Sequence, residues 1–486
     1  MKLSPAIASL LLAACTLIPL TARAATYNWN GNGDDSYFDT PANWGSTTSS
    51  PGNSDTAVFK ATTLPLYTAV ARNAIAVTAL QIQSGSKALI DLSSLTPTET
   101  PDLKSGGITV YNGSLTIKGG VTEATSSLWI GNGGSGSFTL TDGAAFTYTG
   151  GSSNFRLGAA ANSPGNTVRI EKGSSLISNS TIYLGYSATS GGNTLTVDGI
   201  NSSVEVKNAL SVGSIYANMT DNLVEISNNA KWTNSSAVSV GYNSGAKNNK
   251  IYIHGSGSEM SVKSGSNVYI GGSAGTATNN EIRVADGASF KSGSQVFVYQ
   301  GAGNAFIVAN GAEANIASVF NLAGLLRVEK AAFVGGAFNL NATGRVEVME
   351  GTLTLTGPLA AAGGSRFVFD LAATSHISLT GTGANGVFSI EDGGVVYIDL
   401  LNVNSTGMLE LLSAASFANV NNETLLLGQT FSGISAALVF DDGKVFVNVS
   451  AIPEPSSALL MAAGLALLAS LRRRLKAFTT NTEAVV

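Results

Sequence analysis

The chain has 486 residues, and only 12% of them are charged, about half of the roughly 25% that is usual in globular proteins. Without the terminal segments 1–24 and 453–486, the chain holds 20 basic and 29 acidic residues, and this acidic balance argues against a nucleic acid as a partner. The single cysteine, Cys15, lies in the first of these segments. Since the chain has only two histidines, thiolate and histidine-rich metal sites are nearly excluded.

Residues 1–24 have the pattern of a secretory signal peptide, with a basic start, an apolar core and a cleavage site of small residues. Ala22 and Ala24 form that site, which predicts passage through the export machinery and cleavage before Ala25. As an alternative, Cys15 follows Leu-Ala-Ala in a lipobox-like order and could become a lipidated N-terminus. The apolar run continues past Cys15, and this favours a cysteine that is buried in the signal core.

Residues 25–60 form an aromatic-rich block that contains Trp29, Trp44 and Phe59. Strand-like sequence follows this block over residues 61–450. An open end of stacked strands exposes unpaired backbone edges and needs a cover. We therefore predict an N-terminal cap over residues 25–60.

A short strand that ends in glycine recurs through the middle of the chain, at steps of 27, 27, 28, 28, 30 and 28 residues. The terminal positions of its copies, the last one a tyrosine, are Gly131, Gly158, Gly185, Gly213, Gly241, Gly271 and Tyr299. A second strand, in phase with the first, is opened by an asparagine at Asn166, Asn193, Asn222, Asn249, Asn280 and Asn304. A turn and a third short strand complete each copy, which is the pattern of one β-solenoid coil.

The period predicts an all-β fold, a parallel β-helix or β-solenoid over residues 61–450, with three short strands per coil of about 28 residues and its clearest repeats at 127–312. Equivalent strands should stack about 4.8 Å apart. One predicted inward column consists of Val168, Leu195, Val224, Ile251, Ile282 and Phe306. The stacked asparagine amides should hydrogen-bond from coil to coil, because each can donate and accept. The repeat resembles the autotransporter/PEP-CTERM-associated β-strand repeat.

Two motifs that could carry chemistry have simpler structural explanations. Gly131, Gly133 and Gly136 form a GxGxxG pattern, but a strand follows where a dinucleotide site needs a helix. Acidic residues recur at one turn of the coil, but lysine or asparagine occupies the same turn in other coils, so no carboxylate pair suited to glycoside hydrolysis is expected. The turn residues are Asp142, Lys172, Asp198, Asn228, Asp286 and Asn310.

The histidines and exposed tyrosines give no stronger indication of chemistry. We expect His254 in a solvated turn, and His376 is not part of a nucleophile elbow. Tyr183, Tyr242 and Tyr269 could stack on sugar rings, although simple surface positions are the favoured interpretation. The sequence therefore predicts no catalytic, cofactor-binding or metal-binding residues.

The C-terminal segment 451–476 has three ordered features: a Pro-Glu-Pro motif, an apolar run of about 15 residues and a basic cluster. The motif and the cluster consist of Pro453, Glu454, Pro455, Arg472, Arg473 and Arg474. This order predicts a membrane-spanning helix with a cytoplasmic tail at 477–486, although a span ordinarily needs about 20 residues. The segment resembles the PEP-CTERM sorting signal of Gram-negative bacteria, which implies processing by an exosortase, a membrane enzyme that cleaves near the motif. A plain single-span membrane anchor is the alternative.

The resemblance implies an exported protein that passes transiently through the inner membrane to the cell surface or extracellular matrix. We expect a non-enzymatic structural protein that is associated with exopolysaccharide. Two alternatives share the scaffold: an adhesin or glycan-binding module, and a less favoured polysaccharide lyase or hydrolase. An aromatic row on one face of the solenoid would indicate glycan binding, and paired carboxylates in a groove would indicate an enzyme.

Overall fold

A computed structural model describes residues 24–33, 35–60, 66–95, 101–151, 153–372, 374–403, 406–428, 434–451 and 457–480. The chain divides into two compact units, residues 1–339 and 340–486, and each is described by itself. Both consist mainly of parallel β-strands. The strand Phe338–Leu340 contains the boundary between them.

The first unit is a parallel β-solenoid whose strands form three rows, here named A, B and C in the order in which each coil visits them. Row A contains Tyr67–Val70, Lys87–Asp91, Ser114–Lys118, Ser137–Thr141, Thr167–Glu171, Thr194–Asp198, Leu223–Ser227, Lys250–His254, Glu281–Ala285, Ala305–Ala309 and Leu325–Glu329. Row B contains Ala145–Tyr148, Ser175–Ser178, Ser203–Val206, Lys231–Asn234, Glu259–Val262, Ser289–Ser292, Glu313–Ile316 and Ala332–Gly335. Row C contains Thr26–Trp29, Thr56–Phe59, Phe155–Leu157, Ile182–Leu184, Leu210–Val212, Val238–Val240, Val268–Ile270, Val296–Val298 and Phe320–Leu322. Three longer strands, Ile75–Ile82, Leu103–Val110 and Val121–Ile130, run through rows B and C together.

The register confirms the predicted phase of the repeat. In row A each member of the predicted column is the direct partner of the next, from Val168 through Leu195, Val224, Ile251 and Ile282 to Phe306. All six side chains are fully buried. Side chains along a strand alternate between its two faces. The residues directly before and after each column member in its strand therefore point outward.

The asparagines that precede row A form the predicted ladder. Each side-chain Nδ2 donates to the Oδ1 of the asparagine in the next coil, at 2.7 Å from Asn166 to Asn193 and at 3.1 Å from Asn280 to Asn304. The same Oδ1 atoms also accept the backbone N–H of the preceding asparagine, at 3.1 to 3.3 Å. These buried amides therefore satisfy one another along the solenoid.

The ladder also explains the glycine that follows row C. Gly241 has φ +60°, and a Cβ there would lie 1.9 Å from Asn280 Oδ1. A Cβ at Gly131 would lie 1.7 Å from Asn166 Oδ1. Glycine is therefore needed for backbone conformation and for room beside the ladder.

The segment predicted as a cap buries its aromatic residues together. Trp29 packs on Trp44 and Phe59 with ring centroids 4.9 and 5.4 Å apart, and Trp44 Nε1 donates to Phe38 O at 2.6 Å. The segment also contains a 3₁₀ helix, Pro41–Trp44. Its two strands do not lie apart from the solenoid, because both pair in parallel within row C.

The second unit repeats the three-strand coil and ends differently. Its parallel strands are Arg345–Met349, Thr352–Leu355, Leu359–Ala361, Arg366–Asp370, His376–Leu379, Val387–Ile390, Val396–Leu401, Gly407–Ser413, Ser416–Ala418 and Leu425–Leu427, with a 3₁₀ helix at Gly383–Gly386. Ile434–Asp441 and Lys444–Ala451 then form an antiparallel hairpin, and the second of them pairs antiparallel with Gly407–Ser413. The sequence Asp441-Asp442-Gly443 between two short apolar strands is itself a hairpin pattern. The continuation of the solenoid to residue 450 is therefore wrong for these last strands, since the tight turn at Asp442 and Gly443 reverses the chain.

The predicted C-terminal helix is present as Ser457–Thr480. Among the described residues, however, no helix combines the length and the apolar character that a membrane crossing requires. The prediction of a membrane-spanning helix is corrected accordingly. The physical reason is that the apolar run stops at Arg472, and some 14 residues at 1.5 Å each give about 21 Å against a hydrocarbon core of about 30 Å.

Candidate functional surface

The acidic turn residues are each partnered by a lysine or an asparagine one coil away. The turn residues other than Asp198 have positive φ, such as +55° at Asp142 and +51° at Lys172, as tight turns between rows A and B require. Asp198 instead ends the strand Thr194–Asp198. The side-chain pairs are Asp142 with Lys172 at 3.6 Å, Asp198 with Asn228 at 2.7 Å, and Asp286 with Asn310 at 3.0 Å. The interpretation as turn formers is confirmed except at Asp198, where it is wrong because that residue still belongs to the row-A strand.

The GxGxxG pattern faces the asparagine ladder. The backbone N–H groups of Gly133 and Gly134 both donate to Ser163 Oγ at 3.1 Å, and that of Gly136 donates to Asn166 Oδ1 at 2.7 Å. The strand Ser137–Thr141 follows directly. The donors that a phosphate would need are already used within the solenoid.

His254 differs from its predicted position in a solvated turn. It is the last residue of Lys250–His254, and its Nε2 lies 3.0 Å from Glu225 Oε1 in the preceding coil. Its ring also stacks on Tyr252, with centroids 4.3 Å apart. The in-register pairing of row A places the histidine beside the strand that carries Glu225.

His376, in the second unit, lies at a cavity of about 590 Å³ whose lining includes Glu410 and Met408. Its Nε2 is 3.1 Å from Glu410 Oε1 and 3.3 Å from Ser413 Oγ, and Lys444 Nζ donates to Glu410 Oε2 at 2.8 Å. A serine triad needs serine on one ring nitrogen and the acid on the other. Here both groups approach the same nitrogen, so the arrangement lacks triad geometry. Sequence reasoning missed these partners, because they are 34 to 68 positions apart and lie in no motif.

The described residues hold no cluster of three or more histidine, cysteine, aspartate or glutamate side chains that could bind a metal ion.

The outward face of row C carries an in-register series of side chains that we name the row-C strip. Successive coils place one residue each on this strip, and aromatic residues occupy both of its ends. Its members are Trp129, Arg156, Tyr183, Ser211, Ser239, Tyr269 and Phe297.

One end of the strip forms a cationic patch of Trp129, Arg156, Tyr183 and Tyr186. The Arg156 guanidinium carbon lies 3.7 Å from the centre of the Tyr186 ring and 5.2 Å from that of Trp129. Tyr183 and Tyr186 meet edge to face at 5.5 Å. The cation is therefore held between aromatic faces, as cation–π attraction favours.

The other end forms an aromatic platform of Tyr242, Tyr269, Phe297 and Tyr299. Tyr269 stacks on Phe297 with centroids 5.4 Å apart, and Tyr242 lies 5.2 Å from Tyr269. Burial, together with Tyr242 and Tyr269, raises the pKa of Tyr299 to about 12. Its hydroxyl is protonated at neutral pH, as is that of any tyrosine with a pKa of about 10 or above, and can donate a hydrogen bond.

Of the three tyrosines that the sequence indicated, Tyr183 and Tyr269 belong to the strip, and Tyr242 packs against Tyr269. The members of the strip that sequence reasoning missed occupy the middle, outward position of the same repeated strands. The outward direction of this middle residue follows from the alternation of the strand, since the residues on either side of it are apolar and inward. The additional contacts of Tyr186 and Tyr299 come from residues that follow row C and were not visible in that alternation.

The processing residues are only partly within the described chain. Cys15, Ala22 and the Pro453–Pro455 motif lie outside it, whereas Ala24 is its first residue and is exposed. The backbone N–H of Ala25 donates to Asp55 Oδ1 at 2.9 Å. The three arginines 472–474 are exposed on the C-terminal helix.

Comparison with known families identifies one region of the chain. Residues 451–474 match the PEP-CTERM protein-sorting motif. A search of curated proteins returns no match. The motif marks exported proteins that travel through the inner membrane to the cell surface or extracellular space, and it implies processing by an exosortase.

Proposed function

We propose that the processed protein is a non-enzymatic structural element of the cell surface or extracellular matrix that associates with exopolysaccharide through the row-C strip. The strip is the observation that carries this proposal. Sugar rings present apolar C–H faces that pack against aromatic faces, while their hydroxyls accept and donate hydrogen bonds. Tyrosine offers both kinds of contact at once.

The rigid register of the solenoid suits a long polymer better than a single small ligand. From Trp129 to Phe297 the strip covers six coil steps, or about 29 Å at about 4.8 Å per step. Each contact is small, so binding should depend on several contacts along one chain.

Two observations support a role without catalytic turnover. Glycoside hydrolysis uses two carboxyl groups about 5 to 9.5 Å apart, whereas the acidic turn residues each pair with a lysine or an asparagine. Glu171 is the in-register neighbour of Asp198, but it is bound by Arg169. Near His376 the serine and the glutamate approach one ring nitrogen rather than opposite ones. The row-C strip has no acidic residue among its members, so it offers no acid–base pair to a bound substrate.

The proposal is tested by co-sedimentation of the purified full-length protein with exopolysaccharide from the producing cells. Tyr269→Ala and Phe297→Ala should each weaken binding by about fivefold, the scale of one aromatic contact. Tyr252→Ala is the matched control, because Tyr252 points outward from row A. Equal binding by all four proteins would contradict the proposal, and so would steady release of reducing ends from the polysaccharide.

An adhesin on the same strip is the second candidate, and the aromatic platform favours it as much as it favours a matrix element. The two differ in selectivity. Saturable, tight binding to one defined oligosaccharide would indicate an adhesin. Weak binding that strengthens with polymer length would indicate the structural role.

A further inference from the structure

We propose that the cationic patch is a subsite for acidic sugars, in which Arg156 binds the carboxylate of a uronate unit. This inference rests on the proposed association with polysaccharide and adds a chemical class of ligand to one end of the strip.

Arg156 places a positive charge on the outward face of row C. Arg156 occupies the outward position of Phe155–Leu157, directly between Trp129 and Tyr183 in the register of row C. The guanidinium stacks on Tyr186 at 3.7 Å, so its flat face is covered by a ring. Stacking of this kind leaves the N–H edge of the guanidinium as its hydrogen-bonding side.

Arg156 differs from other outward arginines in its ion pairing. Arg72, Arg169 and Arg366 lie within 2.9 to 3.1 Å of Asp39, Glu171 and Asp399, respectively. In the part of the chain that the structure describes, Arg156 has no carboxylate at ion-pair distance. Its Nε is buried, so the two Nη groups are the ones that would meet an external anion. A cation held by rings alone keeps its capacity for an external anion.

The guanidinium and the rings of the cationic patch match the carboxylate and the sugar ring of a uronate. A guanidinium binds a carboxylate through two parallel N–H···O bonds, a geometry that lysine cannot reproduce. The rings of Trp129 and Tyr183 lie one coil to either side, where they can contact the sugar rings that carry or flank the carboxylate. A uronate unit combines these two recognition elements in one residue.

The two ends of the row-C strip differ in charge. The aromatic platform has no charged member, and Ser211 and Ser239 separate it from the cationic patch. Tyr183 and Tyr269 are three coils apart, or about 14 Å. The two ends should therefore differ in ligand preference, with the acidic sugar bound at Arg156 and neutral rings tolerated at Tyr269.

The test uses the purified full-length protein, a polyuronate and the carboxyl-reduced neutral form of the same polymer. Arg156→Gln should lower affinity for the polyuronate by about tenfold, as expected for a charge-assisted hydrogen bond, and should leave affinity for the neutral form unchanged. Arg156→Lys should recover only part of this loss. Binding of the polyuronate, but not of the neutral polymer, should weaken with salt.

Controls separate this inference from loss of fold and from failure of the proposed function. Arg169→Gln removes another outward arginine and should leave both affinities unchanged, and thermal unfolding of each variant checks its fold. Equal binding of the two polymers by the unaltered protein, or equal weakening of both by Arg156→Gln, would overturn the acidic subsite alone. If neither polymer binds and Tyr269→Ala has no effect on native exopolysaccharide, the proposed function fails as well.

Discussion

Replacement of one interior rung should show how much the asparagine ladder stabilises the solenoid. Asn222 is fully buried, and its Oδ1 accepts both the side-chain amide and the backbone N–H of Asn193, at 2.7 and 3.3 Å. Its own Nδ2 donates to Asn249 Oδ1 at 2.8 Å and to Thr220 O at 3.1 Å. Asn222→Ala removes all four hydrogen bonds at once.

The expected cost follows from which groups lose their only partner. Asn193 keeps a second acceptor for its amide in Ser190 O, and Asn249 Oδ1 keeps the backbone N–H of Asn222. The backbone N–H of Asn193 loses its acceptor, as does one hydrogen of its side-chain amide. A buried donor without a partner costs about 1–3 kcal/mol, so the two donors that lose their acceptor should lower the free energy of unfolding by about 2–6 kcal/mol.

Guanidinium denaturation followed by tryptophan fluorescence provides the assay, because Trp232 is buried in the row-B strand of the same coil. Far-UV circular dichroism should be recorded in parallel, since repeat proteins can unfold in separate steps. Asn315→Ala is the matched control, because Asn315 is exposed in row B. A loss below about 0.5 kcal/mol for Asn222→Ala, or an equal loss for the control, would refute the argument from unpaired buried groups.

Three further perturbations should have distinct outcomes. Val224→Asp buries an unpaired charge in the row-A column and should lower the melting temperature strongly or prevent folding, whereas Thr139→Asp, outward in the same row, should be nearly neutral. Gly241→Ala should destabilise far more than Gly311→Ala, because both have positive φ but only the first Cβ meets the ladder. Burial raises the pKa of the Asp91 carboxyl group. Hydrogen bonds from Ser93 and Lys118 outweigh burial, so the pKa is lowered overall. The resulting stabilisation is present above about pH 4 and lost on acidification through the folded-state pKa, so Asp91→Asn should flatten melting temperature against pH in that range.

The inward side of the first unit could be predicted because two periods coincide there. Alternation within a strand selects the buried face, and the coil period selects its partner in the next strand. Val224 was therefore placed against Leu195 and Ile251 without a structure. The asparagine ladder followed for the same reason, since one amide repeated at one position must meet its own copies.

The replacement of the glycine after row C by a tyrosine in one coil also has a physical reason. Tyr299 occupies the position at which other coils have glycine. The asparagine that faces Gly271 is Asn304, and the coil after it begins row A without an asparagine, at Gly324 and Leu325. Gly324 takes the place of the next ladder asparagine, so a side chain is allowed at Tyr299, while Asn304 Nδ2 donates to the Tyr299 carbonyl oxygen at 3.4 Å. The Tyr299 side chain points toward the aromatic platform instead.

Contacts in the second unit could not be predicted in this way. The spacing of its coils is irregular, so partners such as Arg366 and Asp399, 3.1 Å apart, have no periodic signal that connects them. Lys444 reaches Glu410 because an antiparallel strand returns beside Gly407–Ser413, whereas the repeat predicted another parallel coil. The helix Ser457–Thr480 continues past the apolar run, because an apolar run and a basic cluster can share one continuous helix.

Signal cleavage should create a new ion pair at the start of the solenoid. The nitrogen of Ala25 lies 2.9 Å from Asp55 Oδ1, and the other oxygen of the same carboxylate accepts the backbone N–H of Gly52 at 2.9 Å. Cleavage after Ala24 would convert this amide into an ammonium group, and a charge-assisted hydrogen bond is about twice as strong as a neutral one. Asp55→Asn keeps an oxygen acceptor but removes the charge. It should therefore lower the melting temperature of the exported protein more than that of a chain with one additional alanine before Ala25. Equal losses in the two backgrounds, or a mature N-terminus at Cys15, would show that Asp55 faces an ordinary amide and that the chain is cleaved elsewhere.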